Sequence, residues 1–479
     1  MNIPETSISF SCDDPLLLRL YEEAEAKCLL NLRHFGKDLV LVEGGGYDKI
    51  WLETQPMGGE MYALRNPEAG LNNSLLFMRC QREDGRLPGS IRFDGERLIP
   101  EYNKYQGFCF PWHALNLYFL FDRDPEYLSL LRDVLTRFDA CLWRTRALRP
   151  DGLLRSFCVY DTGEDLALRY GDAPCWWTED EPPEGCQVVP MASMDVTSWS
   201  FACRDTLARI CDIQGDPEAA PWREKAREVA LALRRELWNE RRGALFDLDR
   251  EGNLLPTLCH NTLRCMYWGS VSREMAARFV REHLLNPAEF WTPFPLPSVA
   301  VNDPLFRNAP ENNWSGQPEG LTWQRAILAL ENYGFDALVP RLGRILFDAI
   351  IRGGFRFTQQ YDPFTGAPSL VHAVTHQPVI PGGGEPVQDA YGPTLLAVLE
   401  YFAHCWGIRP HLGSVRFSAV SGLAFEANAC FLNHRYAVRS TGSRFEVSVD
   451  GKTIHTGPTG FRLSTTTEGT ILEKVPIDP

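Results

Sequence analysis

Four segments of this chain gather residues whose types could do chemistry. The first is Tyr160-Asp161-Thr162-Gly163-Glu164-Asp165, followed by Arg169, with three carboxylates inside five residues. Like charges forced together raise at least one carboxyl pKa when the segment is buried. A carboxyl that keeps its proton near neutral pH can give it to a leaving oxygen. An acidic surface turn is the plainer reading of that segment alone. The second is Asn313-Trp314-Ser315-Gly316-Gln317-Pro318-Glu319, opening a helix that carries Trp323, Gln324 and Arg325. Glu319 suits the dipole of a helix start, or it joins Trp314 and Gln317 at a pocket rim. The third pairs Thr358-Gln359-Gln360-Tyr361-Asp362-Pro363 with Gly382-Gly383-Gly384-Glu385-Pro386-Val387-Gln388-Asp389. A glycine triplet lets backbone come close to a ligand or forms a flexible surface loop; no Lys-Ser/Thr follows it, so it is not a phosphate-binding P-loop. The fourth, Tyr47 to Gln55, sets Trp51 among Asp48, Glu53 and Gln55. That combination suits sugar hydroxyls, and a structural ion-pair cluster accounts for it nearly as well.

The elements that position these segments are mostly helical. Leu16, Leu17, Leu20, Tyr21 and Ala24 form one stripe of a helix over 14–32, capped by Asp13 or Asp14. Further helices are expected over 71–80, 112–121 and 125–142, from an Asp195 cap, from Pro221, and over 273–285, 319–333, 337–351 and 393–406. About a dozen helices in pairs over roughly 400 residues, with long aromatic connectors, imply an (α/α)6 toroid of helical hairpins. An α-solenoid shares that periodicity. The last part reads as strands: Arg444–Val449 alternates with period two, Asp450-Gly451 is a hairpin turn, and Tyr436, Val438, Phe461 and Leu463 continue the pattern. The expected organisation is a catalytic helical domain over residues 1–408 and a small β-domain over 409–479.

Composition narrows the partners. The 479 residues carry 48 Lys plus Arg against 62 Asp plus Glu, a net charge of −14, with 44% hydrophobic and 23% charged residues. This is globular composition. The acidic balance without a basic run argues against nucleic acid. No apolar stretch is long enough to span a membrane, and the first residues lack a secretory pattern. The 14 cysteines include no C-x-x-C pair, and Cys259, His260 and Cys265 do not fit a zinc spacing. A cytoplasmic protein with reduced thiols, and with no metal or cofactor, is expected.

In their shared order the segments resemble the inverting α-glycosidases with helical barrels, among them trehalase, processing α-glucosidase I and mannosylglycerate hydrolase. Their acid motif Glu-Ser-Gly-Trp-Asp-x-Ser-x-Arg stands here as Asp161 to Arg169, with Gly163, Asp165 and Arg169 coinciding. Trp314-Ser315-Gly316 is similar to the Trp-Arg-Gly helix start, and Gly382 to Gln388 to the trehalase Gly-Gly-Gly-Glu-x-x-x-Gln segment. Trp51-Leu52-Glu53 lies where the family often has Trp-x-Trp-Asp. The resemblance, over most of residues 40–407, implies a glycoside hydrolase acting on an α-bond of a small saccharide or glycoside, with Asp165 as general acid. One departure stands out: the trehalase base is the Glu of a Glu-x-Tyr-Asp segment, which here is Gln359-Gln360-Tyr361-Asp362, and an amide cannot take a proton from water. Glu385 is then the expected base. Trp51, Trp314 and Trp323 are expected sugar platforms, and Glu53, Gln55, Asp161, Arg169, Gln317, Glu319, Gln359 and Asp389 expected hydroxyl binders. A phosphorylase on the same barrel, an epimerase using His372 and His376, and a carbohydrate-binding protein without turnover remain as alternatives.

Overall fold

The computed structural model describes residues 3–380 and 382–479. In chain order its α-helices are α1 (Pro15–Leu29), α2 (Gln55–Tyr62), α3 (Pro67–Arg79), α4 (Pro111–Leu120), α5 (Pro125–Arg146), α6 (Met194–Gln214), α7 (Ala219–Leu237), α8 (Asn261–Trp268), α9 (Arg273–Phe279), α10 (Gly320–Glu331), α11 (Leu338–Arg352) and α12 (Gly392–Trp406). The even-numbered helices touch in sequence, α2 to α4, α6, α8, α10 and α12, and α12 touches α2, so the cycle closes. Odd-numbered helices lie against them from outside, α7 on α6 and α11 on α12 among them.

Composition explains which helix goes where. All eight residues of α2 and of α8, and fourteen of the fifteen in α12, are buried. α12 is apolar almost throughout, whereas the buried polar face of α8, Asn261 and Arg264, pairs with Glu164 and Asp195. The outer helices are amphipathic: α7 buries Ala226, Val229, Ala230, Leu233 and Leu237 and turns its Arg, Lys and Glu residues outward. Close approach needs small residues. A Cβ on Gly58 of α2 would lie 2.8 Å from Leu396 of α12, and one on Gly59 would lie 2.6 Å from Asn73 of α3.

Several helix starts differ from the sequence reading. Asp14 caps α1 as expected, accepting from the Leu16 and Leu17 amides at 2.9 and 3.1 Å. α3 starts earlier than residue 71, at Pro67 behind an Asn66 cap. α6 is capped by Ser193, not Asp195: the Ser193 hydroxyl accepts from Val196 N, and Asp195 is buried in the first turn. α2 and α8 are helices that periodicity does not reveal, because each has only eight residues, too few for a repeating face to stand out.

The strand-rich region forms two antiparallel sheets. One has five strands in the order Ser7–Cys12, Ala424–Phe431, His434–Thr441, Arg444–Val449 and Lys452–Pro458; the other has four, Ile408–His411, Ser414–Ala419, Phe461–Thr465 and Ile471–Pro476. Their inner faces alternate as pleating requires, with Phe425, Ala427, Ala429 and Phe431 buried beside Tyr436 and Val438. Asp450 and Gly451 both have positive φ, 51° and 76°, the hairpin geometry expected of that dipeptide. Residues 7–12 pair with Ala424–Phe431. The β layer therefore gathers both ends of the chain, whereas the sequence reading assigns all of 1–408 to the helical domain. Glu331 at the end of α10 ties the layer to the helices, accepting from Arg416 at 2.8 Å, Arg462 at 2.7 Å and His404 at 2.7 Å.

Candidate active site

The segments that lead into the even-numbered helices converge at one end of the helical body. There they line a cavity of about 50 Å3 walled by Glu43, Tyr47, Trp51, Glu53, Gln106 and Asp165 on some sides and by Asn312, Trp314, Gln359 and Tyr391 on others. Larger clefts of about 500 and 680 Å3 occur elsewhere, without a buried carboxylate among their lining residues.

The acidic motif is sorted by its backbone. Val159–Thr162 form a 3-10 turn closed by Gly163 in the left-handed region, φ 72°. The three carboxylates then diverge. Asp161 turns inward and accepts from the amides of Phe157 at 2.8 Å and Tyr105 at 3.3 Å. Glu164 pairs with Arg169, which also pairs with Asp247; against the upward push of burial, Arg169, Arg264 and His260 hold the Glu164 carboxyl at about 2. Asp165 alone enters the cavity, its Oδ1 accepting from Gln106 Nε2 at 2.9 Å and its Oδ2 from Asn312 Nδ2 at 3.1 Å. Burial raises its pKa. The cause is desolvation, not the repulsion within the motif that the spacing suggests, because Asp161 and Glu164 are satisfied in other directions.

Gly163 is required twice over. Besides its positive φ, a Cβ there would sit 2.2 Å from Glu53 Oε2. Gly163→Ala is expected to destabilise the protein by about 2 kcal/mol or more, from left-handed strain plus displacement of Glu53, and to lower turnover; urea unfolding alongside kinetics checks both.

Other carboxyls at the site are also held up by burial. Glu53 pairs with Arg325, and Arg264 lies 3.7 Å away, yet desolvation lifts it to about 7. Glu43 accepts from the Tyr391 hydroxyl at 2.9 Å and is lifted by burial to about 8. Glu319, fully buried at the start of α10, lies beside the Gln359 side chain, and among the described residues neither of its oxygens makes a well-formed hydrogen bond; burial, then Asp165, Glu53 and Glu43, push it well above the carboxylate range. Gln359 Oε1 accepts from the Tyr47 hydroxyl at 3.1 Å, its backbone N–H donates to Gln388 Oε1 at 2.9 Å, and its carbonyl accepts from Gly320 N.

Of the residues expected from sequence, Asp165, Trp51, Glu53, Trp314 and Gln359 line the cavity. Others are structural in this arrangement. Gln55 Oε1 accepts from Trp51 N at 2.7 Å. Asp161 and Arg169 are enclosed as described. Gln317 is buried between Asn308 and Ser369. Trp323 is fully buried against Phe294 and Tyr401, a core residue and not a platform. Glu319 lies next to the lining, behind Gln359. Asp389 pairs with Lys27 at 2.7 Å and accepts from Phe357 N. Glu385 is exposed on its loop and does not line the cavity, so it and Asp165 do not share a cleft as the sequence reading requires.

Sequence reasoning passed over Glu43, Gln106, Asn312 and Tyr391. A signal for Glu43 existed. Gly44-Gly45-Gly46 follows it, and there the backbone does approach others closely: a Cβ on Gly46 would meet Ala373 O at 1.8 Å. The triplet that drew attention, residues 382–384, is exposed, and Gly382 and Gly384 have nothing within 4 Å of a Cβ.

Residues 61–377, about two thirds of the chain, match the mannosylglycerate hydrolase MGH1-like glycoside hydrolase domain. Comparison with curated proteins yields no match. Among solved structures, the mannosylglycerate hydrolase of Thermus thermophilus bound to glucose is 17% identical with TM-score 0.61, over 80% of this chain and 99% of that one. The neutral trehalase of Saccharomyces cerevisiae is 13% identical with TM-score 0.55, over 80% and 79%. A sialidase is 13% identical with TM-score 0.69, over 96% of this chain and 41% of that one. At these identities the likeness is one of fold.

Proposed function

The chain belongs to the mannosylglycerate hydrolase MGH1-like glycoside hydrolase family, and from that premise we propose that it hydrolyses an α-glycosidic bond of a small saccharide or glycoside with inversion, Asp165 acting as general acid and Glu43 as general base. One observation carries the reading: the carboxyls of Glu43, which is buried, and Asp165, which is half-buried, line the same cavity beside Trp51 and Trp314. Asp165 protonates the glycosidic oxygen as its bond to C1 breaks. Water forms the new C1–O bond from the other ring face, and its proton passes to Glu43. Burial lifts the Glu43 carboxyl to about 8, so it is the ionised fraction, growing as pH rises toward 8, that takes the proton, and that fraction is a stronger base than an ordinary carboxylate. Gln359 cannot serve, since an amide does not take a proton from water, and Glu385 stands in solvent.

The closed cycle of even-numbered helices supports reading the helical body as the (α/α)6 toroid. Among the described residues no Lys or Arg lines the cavity, and its carboxyls disfavour phosphate, so hydrolysis ranks ahead of phosphorolysis. Epimerisation fares no better: His372 Nδ1 caps a turn by accepting from Val374 N and Thr375 N, and the His376 ring packs against Tyr47 at a 41° tilt. No helix among the described residues is long and apolar enough to cross a membrane, and the fourteen free thiols support a reducing, cytoplasmic setting.

The test is a screen of α- and β-glycosides with the first-formed product anomer followed by NMR. A β-product from an α-glycoside is expected; an α-product, or turnover of β-glycosides only, overturns the proposal. Gln359→Glu tests the base. Glu43 in that role predicts no gain in kcat, because the new carboxyl only adds to a crowded acidic site, whereas a large gain would return the base to position 359.

A further inference from the structure

We infer that Glu53 is a positioning residue for the acid: it is a strut between the segment that carries Asp165 and the strap that carries Gln106, and it fixes the gap across which Gln106 donates to Asp165. The inference rests on Asp165 being the acid. The strap, residues 105–109, is hydrogen-bonded along both sides. Gln106 N donates to Tyr160 O at 2.9 Å and Gly107 N to Asp161 O at 2.8 Å, which ties it to the acid segment. Cys109 N donates to Leu52 O at 3.2 Å, which ties it to the residue before Glu53. Gln106 and Gly107 both have left-handed backbone, φ 56° and 71°. A glutamine in that region is strained, and its side chain is the one that reaches Asp165, at 2.9 Å.

Glu53 fills the notch between strap and acid segment. A Cβ on Gly107 would lie 2.9 Å from each of its Cβ, Cγ and Cδ, and one on Gly163 would lie 2.2 Å from its Oε2 and 2.5 Å from its Cδ. Glycine at both positions lets the stem rest on one backbone and the carboxyl on the other. The carboxyl is anchored from behind: Arg325 of α10 donates to Oε1, and Arg264 of α8 lies 3.7 Å from the same oxygen. Arg264 also donates to Thr162 O at 2.5 Å, so the guanidinium that faces Glu53 grips the acid segment beside Gly163. Glu53 is 4% exposed, and close-packed surroundings transmit a change in its length to what it touches. It lines the cavity, so binding a sugar hydroxyl is the competing role, and the two roles make different demands. A sugar ligand touches the ring whatever the leaving group. A strut acts only through the proton on Asp165, so its failure falls on substrates whose leaving oxygen needs that proton.

The experiment begins with α-glycosyl fluorides of glucose, mannose, galactose and L-rhamnose, which identify the donor turned over. That donor is then compared as its fluoride and as an unactivated α-glycoside, with a thermal midpoint for each variant. Glu53→Asp keeps the charge and withdraws the carboxyl by one methylene. It is expected to lower kcat on the glycoside by about 10^2-fold, the cost of a misplacement of roughly 1 Å, and on the fluoride at least about tenfold less. Glu53→Gln keeps the length and can still accept from Arg325, so it is expected to recover about tenfold or more of the glycoside loss. Gly107 is not among the described residues lining the cavity; Gly107→Ala displaces Glu53 without changing its chemistry, and the same selective loss is expected. Equal losses on glycoside and fluoride make Glu53 a sugar ligand and overturn the inference. So does unchanged kcat in Glu53→Asp, or a Glu53→Gln as impaired on the glycoside as Glu53→Asp. Each of these leaves Asp165 in place. Full turnover of the glycoside by Asp165→Asn, or no turnover of any fluoride or glycoside, overturns the parent reading and this one with it.

Discussion

Asp165→Asn is expected to lower kcat on an unactivated α-glycoside by about 10^2–10^4-fold, the usual worth of a general acid. On the corresponding glycosyl fluoride the loss should be far smaller, since fluoride departs without a proton. The fold should persist. Asp165 lies at the cavity with partners Gln106 and Asn312, and an amide of the same shape can keep a contact with each. Steady-state kinetics on the two substrates, with a thermal midpoint as control, separates loss of the proton from loss of the site. Wild-type turnover on the unactivated substrate would remove Asp165 from the mechanism.

Glu43→Gln should behave differently on both counts. Water must be activated whatever the leaving group, so kcat is expected to fall by about 10^2–10^4-fold on glycoside and fluoride alike. The variant should also be more stable than the wild type above neutral pH. The Glu43 carboxyl is raised by burial from 4.5 to about 8. Between those values the folded state holds a proton that the unfolded chain has released. Stability therefore falls as pH rises through this window, by about 1.4 kcal/mol per pH unit from this group, and levels off above about 8. Below pH 4.5 both states are protonated and the group contributes no slope. Glutamine does not titrate, so its substitution removes this part of the slope. Urea midpoints from pH 5 to 8 measure it; a wild-type slope in the variant would mean that Glu43 is not desolvated in the folded protein.

These two outcomes follow from a contrast within one molecule. Glu164 is as buried as Glu43 and Glu319, and the Glu331 side chain nearly so, but Arg169 and Arg264 beside the first, and His404 with Arg416 and Arg462 beside the second, hold their pKa values down. Among the described residues, Glu43 has one phenol as hydrogen-bond partner and Glu319 has no well-formed hydrogen bond, with only the Gln359 amide beside it. Buried polar groups left short of partners reduce stability, and natural proteins tolerate that chiefly where function needs it.

What the sequence determined by itself was local. A stripe of apolar side chains at helical spacing marks an outer helix wherever it docks, and period-two alternation with Asp450-Gly451 marks the C-terminal strands, because both patterns are properties of a few consecutive residues. The segment to which the family resemblance assigns the acid could be found for the same reason: Gly163, Asp165 and Arg169 keep the spacing of that motif. Tertiary structure decided the rest. α2 and α8 are helices only because neighbours enclose them on every side. Which motif carboxylate faces the cavity depends on where Tyr105, Arg264 and Gln106 arrive from distant segments. Glu43 and Glu385 each sit beside a glycine triplet, and only the packing of Gly46 against Ala373 and Gly45 against Tyr391 brings one of them inside. Burial sets the pKa values of these carboxyls, and burial is a property of the assembled chain, not of any stretch of it.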